Sequence, residues 1–165
     1  LTPRAPSDYA SPPLLLAPVA AALLTVVIAV GRLVAPDPTD PSWITAPAHA
    51  YLAGTVGALV IAAVVRLAIR TVVARRQPTG PPDIVEADDA IRASAVHHLA
   101  GGGTAAILLI AAQLAYMAIG RYEQHSGLAL AIGLLLAFGA FVSWRWYAYR
   151  HWRVRRVASV DSLAP

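Results

Sequence analysis

The sequence predicts an all-α fold: an integral membrane four-helix bundle with a short cytoplasmic amphipathic helix before the third span. Three observations predict it. Hydrophobic residues make up 58% of the 165 and charged residues 13%, where soluble domains hold about 45–50% apolar and about 25% charged residues. The charges are clustered, leaving four long uncharged gaps. The arginines gather at alternate ends of those gaps. A mean hydropathy of +0.59 excludes a disordered chain and argues against a soluble globular domain. No cysteine is present, so disulfides, thiolate metal sites and cysteine catalysis are excluded. All 13 basic residues are Arg, a bias that, with abundant Ala and Val, points to a GC-rich bacterial genome.

The gaps set the spans. No charge lies between Asp8 and Arg32, Asp40 and Arg66, Arg92 and Arg121, or Glu123 and Arg145, giving gaps of 23, 25, 28 and 21 residues. A crossing needs about 20 apolar residues, so each gap holds one span and none holds two. Lipid offers the backbone no hydrogen-bond partner, so each span is helical. Span 1 is expected over 13–34, with Pro12-Pro13 at its first turn and a short tail, 1–12, before it. Its apolar run exceeds a signal-peptide core of about 7–15 residues. The nearest cleavage-like pattern, Ala48-His49-Ala50, lies far downstream, so span 1 reads as retained. Pro36-Asp37-Pro38-Thr39-Asp40-Pro41 then breaks the chain. Span 2 is expected over 47–69, and Gln77-Pro78-Thr79-Gly80-Pro81-Pro82 stops it. A loop over 70–98 leads to span 3 over 99–120. A short turn at Glu123–Ser126 joins it to span 4 over 127–149. The spans form one domain, 13–150, followed by a basic tail, 151–165.

Orientation follows from charge. Eleven arginines fall in the N-terminal tail, in the stretch from Arg66 to Arg92 between spans 2 and 3, and in the C-terminal segment from Arg145, against Arg32 and Arg121 on the other side. The positive-inside rule places both termini and the middle loop in the cytoplasm, in a bacterial cytoplasmic membrane.

Lipid removes most of the hydrophobic drive for helix association, so small residues that let backbones approach mark the packing faces. Span 2 offers Ala50, Gly54, Ala58 and Ala62 at every fourth position, and span 4 offers Ala129, Gly133 and Ala137. Packing within the bundle is the favoured reading, a dimer or partner interface the other. Intramembrane polar side chains are few: Thr25, Thr55, Thr104 and Gln113. No acid or base lies deep in a span, which departs from the four-span small multidrug-resistance transporters with their membrane-buried Glu. Gln113 is expected to bond a neighbouring helix.

The stretch from Asp83 to His98 reads as a surface helix running into span 3, with Gly101-Gly102-Gly103 bending or loosening the junction. Asp83 stands as N-cap with Glu86 three residues on, a capping-box spacing. Asp88 and Arg92 are an i,i+4 pair. Ile84, Val85, Ile91 and Val96 supply a partly apolar face. A metal site from Glu86, Asp88, Asp89, His97 and His98 with His151 is disfavoured, because adjacent His residues diverge by about 100° on a helix. A DDxxD diphosphate site fails at Arg92, and a CDP-alcohol transferase pattern fails for want of Gly after Asp89. His49 and His125 are better read as interfacial side chains than as haem ligands. The helix is therefore expected to dock on the bundle or on a partner.

The run Trp144, Arg145, Trp146, Tyr147, Tyr149, Arg150, Trp152 and Arg153 places aromatics all around a helix. That is the distribution of an interfacial belt whose arginines meet anionic headgroups, not of a nucleic-acid surface. The expectation is a non-enzymatic accessory or interaction subunit without a cofactor, its partners being lipid, a protein or a second copy. An oligomeric transporter or channel component is the alternative. A membrane-embedded enzyme using Asp88, Asp89, His97 and His98 stands third.

Overall fold

A computed structural model describes residues 4–34, 48–119 and 126–147. A 3-10 turn, Pro6–Asp8, precedes four helices: α1 (Pro12–Val34), α2 (Ala48–Ala74), α3 (Pro82–Ile119) and α4 (Ser126–Val142). A π-helical turn, Ser143–Tyr147, prolongs α4. All four helices are long and apolar enough to cross a membrane. The protein is therefore all-α and multi-pass.

The helix starts follow from proline. Pro12 opens α1 and Pro82 opens α3, where a missing N–H costs nothing because the first-turn donors have no intrahelical partner. The Pro81 carbonyl accepts from Ile84 at 3.1 Å and Val85 at 3.4 Å. Asp83 is thus inside the first turn and not at the cap, still placed where the positive end of the helix favours its carboxylate.

Two boundaries differ from the sequence expectation. First, α2 runs on to Ala74, because nothing before Gln77-Pro78 breaks it. Second, the surface helix and span 3 are one 38-residue helix, about 57 Å long at 1.5 Å per residue. The glycines at 101–103 do not interrupt it. Most of the 70–98 segment is therefore helical. The hydrocarbon core is only about 30 Å thick, so the charged first half of α3 extends well beyond it.

The packing is uneven. α1, α2 and α3 pack on one another, while α4 packs along α3 and not appreciably on α1 or α2. Three small cores run down the α1–α2–α3 wedge. Tyr9, Leu14, Ile69, Val73 and Val96 fill one end. Ala21, Ala22, Ala58, Ala62 and Ile107 fill the middle. Ala29, Tyr51 and Leu114 fill the other end. The small residues of span 2 thus include two, Ala58 and Ala62, buried inside this chain, while Ala50 is half-buried. Gly54 meets Leu114, where an added Cβ would sit 3.1 Å from the side chain. On α4, Ala129 is fully buried, Gly133 faces the Ala112 carbonyl and Ala137 is half-buried. The outer surface is apolar, as with Leu23, Val27, Leu67, Leu134 and Phe138. Thr25 and Thr104 satisfy their hydroxyls by donating to the carbonyls of Ala21 (3.0 Å) and Ala100 (2.8 Å) in their own helices.

Candidate functional site

The densest polar chemistry lies at one end of the wedge, where the first turns of α3 meet the end of α2 and the N-terminal segment. Arg92 is its centre and is 4% exposed. Its Nε donates to Asp88 Oδ2 at 2.6 Å, one turn earlier on α3. Its Nη1 donates to the carbonyls of Val73 at 3.2 Å and Arg75 at 2.6 Å, and its Nη2 to that of Arg76 at 3.0 Å. The Val73 carbonyl belongs to the last turn of α2, where carbonyls lack an intrahelical donor, and those of Arg75 and Arg76 follow directly after the helix end. A guanidinium suits them because it offers five donors in a planar fork and a positive charge at the negative end of a helix.

Asp89, the next buried acid, faces the other way. Its Oδ2 pairs with Arg4 Nη1 at 2.6 Å. Its Oδ1 accepts from the Tyr9 hydroxyl at 3.1 Å and from Gln77 Nε2 at 3.2 Å. The Arg4 guanidinium also lies 5.9 Å from the centre of the Tyr9 ring, within cation–π range. Burial, then the bond to Asp89, raises the Tyr9 phenol above its ordinary value. Burial opposes the charge of Arg4, but Tyr9 and Asp89 outweigh it and raise its pKa. Residues 4–10, the end of α2 and the start of α3 are thereby tied into one clasp.

Only part of the expected apolar face of this helix is covered: Val96 is buried and Val85 half-buried. Ile84 and Ile91 are exposed, whereas Asp89 and Arg92 are buried. The charged face docks because the N-terminal segment and the end of α2 supply its partners. Of the proposed interaction helix, Asp83 and Glu86 remain exposed, and Asp88 is half-buried. His97 is buried while His98 is exposed, with its Nδ1 2.8 Å from the Ser94 carbonyl. The divergence of adjacent side chains on a helix separates them. Among the described residues, no three His, Asp or Glu side chains gather as a metal site. His49 is described and exposed; His125 and His151 lie outside the described residues.

Gln113 departs from expectation. It is exposed on α3, and among the described residues no hydrogen bond joins it to another helix. It shares that open side with Leu109 and Tyr116, four residues before and three after. The cause is the position of α4, which covers a different side of α3. Trp144 and Arg145 are exposed, and Trp144 stacks obliquely on Phe141 with ring centres 6.3 Å apart. Trp146 and Tyr147 belong to the π-helical turn. Tyr149, Arg150, Trp152, Arg153 and the tail 151–165 lie outside the described residues, as do the Pro36–Pro41 break and the turn residues 120–125.

No protein-family model matches the chain, and neither a curated protein nor a solved structure does. Sequence reasoning missed Arg4, Tyr9 and Gln77 as partners of Asp89. No local signal marks them, because two of the three contacts span at least 80 residues.

Proposed function

We propose that the chain is a non-enzymatic interaction subunit of a bacterial cytoplasmic membrane complex, docking on a transmembrane helix of another protein. Both termini and the clasp face the cytoplasm in this reading. The observation that carries it is Gln113, an amide within the apolar stretch of α3 that is exposed on the side the described residues leave open. Lipid gives an amide no partner, and interhelical bonds from Gln hold membrane helices together. The charges of α3 give further support, since Asp88, Asp89 and Arg92 are engaged in bonds within the chain. The partner helix would offer a carbonyl, hydroxyl or amide at the depth of Gln113.

The test is purification from the source membrane into lipid nanodiscs, followed by mass spectrometry. A stoichiometric protein partner is expected. Gln113→Leu should weaken its retention several-fold, by about 0.6–2 kcal/mol, with the melting temperature of the purified chain unchanged. Gln113→Asn should retain it. The same exposed amide favours one second reading, a transporter or channel in which copies of this chain meet at Gln113. A lone homo-oligomer whose solute flux in liposomes is lost on Gln113→Leu would select that reading and overturn the first.

A further inference from the structure

A groove of about 440 Å³ runs between α1 and α2 beside the 3-10 turn. Its walls are apolar: Leu15, Leu16 and Val19 from α1, and Val65 and Ile69 from α2. Arg66 and Arg70, one helical turn apart on α2, line it as well. Pro6 and Ser7 close the end nearest the clasp. The volume falls within the range of about 300–1,000 Å³ usual for small-ligand sites.

The depth of the groove narrows what can fill it. Val65 packs on Gly103 of α3, so Arg66 stands within about two turns of Leu99, where α3 changes from polar to apolar. Both arginines therefore sit at the edge of the hydrocarbon, beside apolar walls that continue into it. Both are exposed, and among the described residues neither has a carboxylate partner. Cations at this depth reach for headgroups, and basic pockets between transmembrane helices bind anionic ones. A ligand for this groove needs an anionic head for the two guanidiniums and a hydrocarbon chain for the walls.

We propose that the groove binds one anionic phospholipid, its phosphate between Arg66 and Arg70 and an acyl chain along Leu15, Val19 and Val65. The proposal rests on the chain being membrane-embedded, not on its having a protein partner. The arginine pair supplies selectivity for charge, and the walls restrict the site to an amphiphile.

The full chain is reconstituted in nanodiscs of phosphatidylcholine with a minor share of phosphatidylglycerol, and native mass spectrometry counts retained lipids. One phosphatidylglycerol retained in preference to phosphatidylcholine is expected. Replacing both arginines (Arg66→Gln with Arg70→Gln) should cut that preference about 30-fold, from two cation–headgroup contacts. Val19→Trp, which fills the groove and keeps both arginines, should lower retention of either lipid. Arg75→Gln with Arg76→Gln, exposed arginines outside the groove, should leave the preference intact. Equal losses from the two arginine pairs would show a diffuse basic surface and overturn the site, as would a wild type that retains both lipids alike. Alkaline carbonate extraction separates the premises: a chain released from vesicles defeats the membrane reading, while an inserted chain without lipid preference defeats only the groove.

Discussion

At the residue scale, Arg92 shows how a charge can be buried without being wasted on water. Its Nε, Nη1 and Nη2 meet a carboxylate and the carbonyls of Val73, Arg75 and Arg76 at and just past the end of α2. Truncating such a group leaves one buried acceptor, two part-buried ones and a half-buried carboxylate behind, at a cost of about 2–3 kcal/mol. Arg92→Met should lower the melting temperature in detergent by that equivalent. Arg92→Lys should rescue only part of it, because an ammonium cannot span the same fork. Tyr9 adds a pH dependence. Its folded pKa is raised, so the stability from its hydroxyl is present below about pH 10 and is lost as pH climbs through the raised value. The melting-temperature gap between wild type and Tyr9→Phe should stay level to about pH 10 and narrow above it. One bond of this clasp was legible in the sequence, that between Arg92 and Asp88. Asp88 and Arg92 are four apart on a helix, which periodicity reveals; Asp89 and Tyr9 are 80 apart, which only the fold brings together.

At the element scale, each charge gap falls on a helix long and apolar enough to cross a membrane, because the cost of charge in lipid acts directly on sequence. The gaps do not locate helix ends, since a helix continues past the hydrocarbon until its backbone bonding is broken, as α2 does to Ala74. The three glycines of α3, a weak point by propensity, are continuous helix. Gly103 lets α2 approach so closely that an added Cβ would run into Val65 Cγ2. Val is stiff in a helix, with one strongly preferred rotamer, so it cannot swing aside without strain. Gly103→Ala should therefore destabilise the chain by about 1–3 kcal/mol through overpacking. Adding Val65→Ala should recover part of that loss even though Val65→Ala alone destabilises. A double-mutant cycle by thermal melting would measure the coupling. Simple additivity would show that α2 and α3 part freely at this point.

At the scale of the whole molecule, α3 organises the protein, with α1 and α2 on one side and α4 on another. Hydropathy counts helices but does not arrange them, so the open side of α3 with Gln113 was illegible. The orientation of the wedge decides which leaflet meets Arg66, Arg70 and the clasp. Positive charge resists translocation when it lies close to a span, and Arg66, Arg70, Arg75, Arg76 and Arg92 all bracket the connection between α2 and α3. The chain lacks cysteine, so a single introduced thiol reports its own side without background. Thr79→Cys, between α2 and α3, should resist a membrane-impermeant maleimide in intact cells and react after permeabilisation. Thr39→Cys, between α1 and α2, should react in both. The reverse pattern would turn the molecule over and place the arginine-lined groove in the outer leaflet. Equal labelling of both in intact cells would mean that α2 does not cross at all. The two thiols thus test the span and its direction together, because α2 alone separates them.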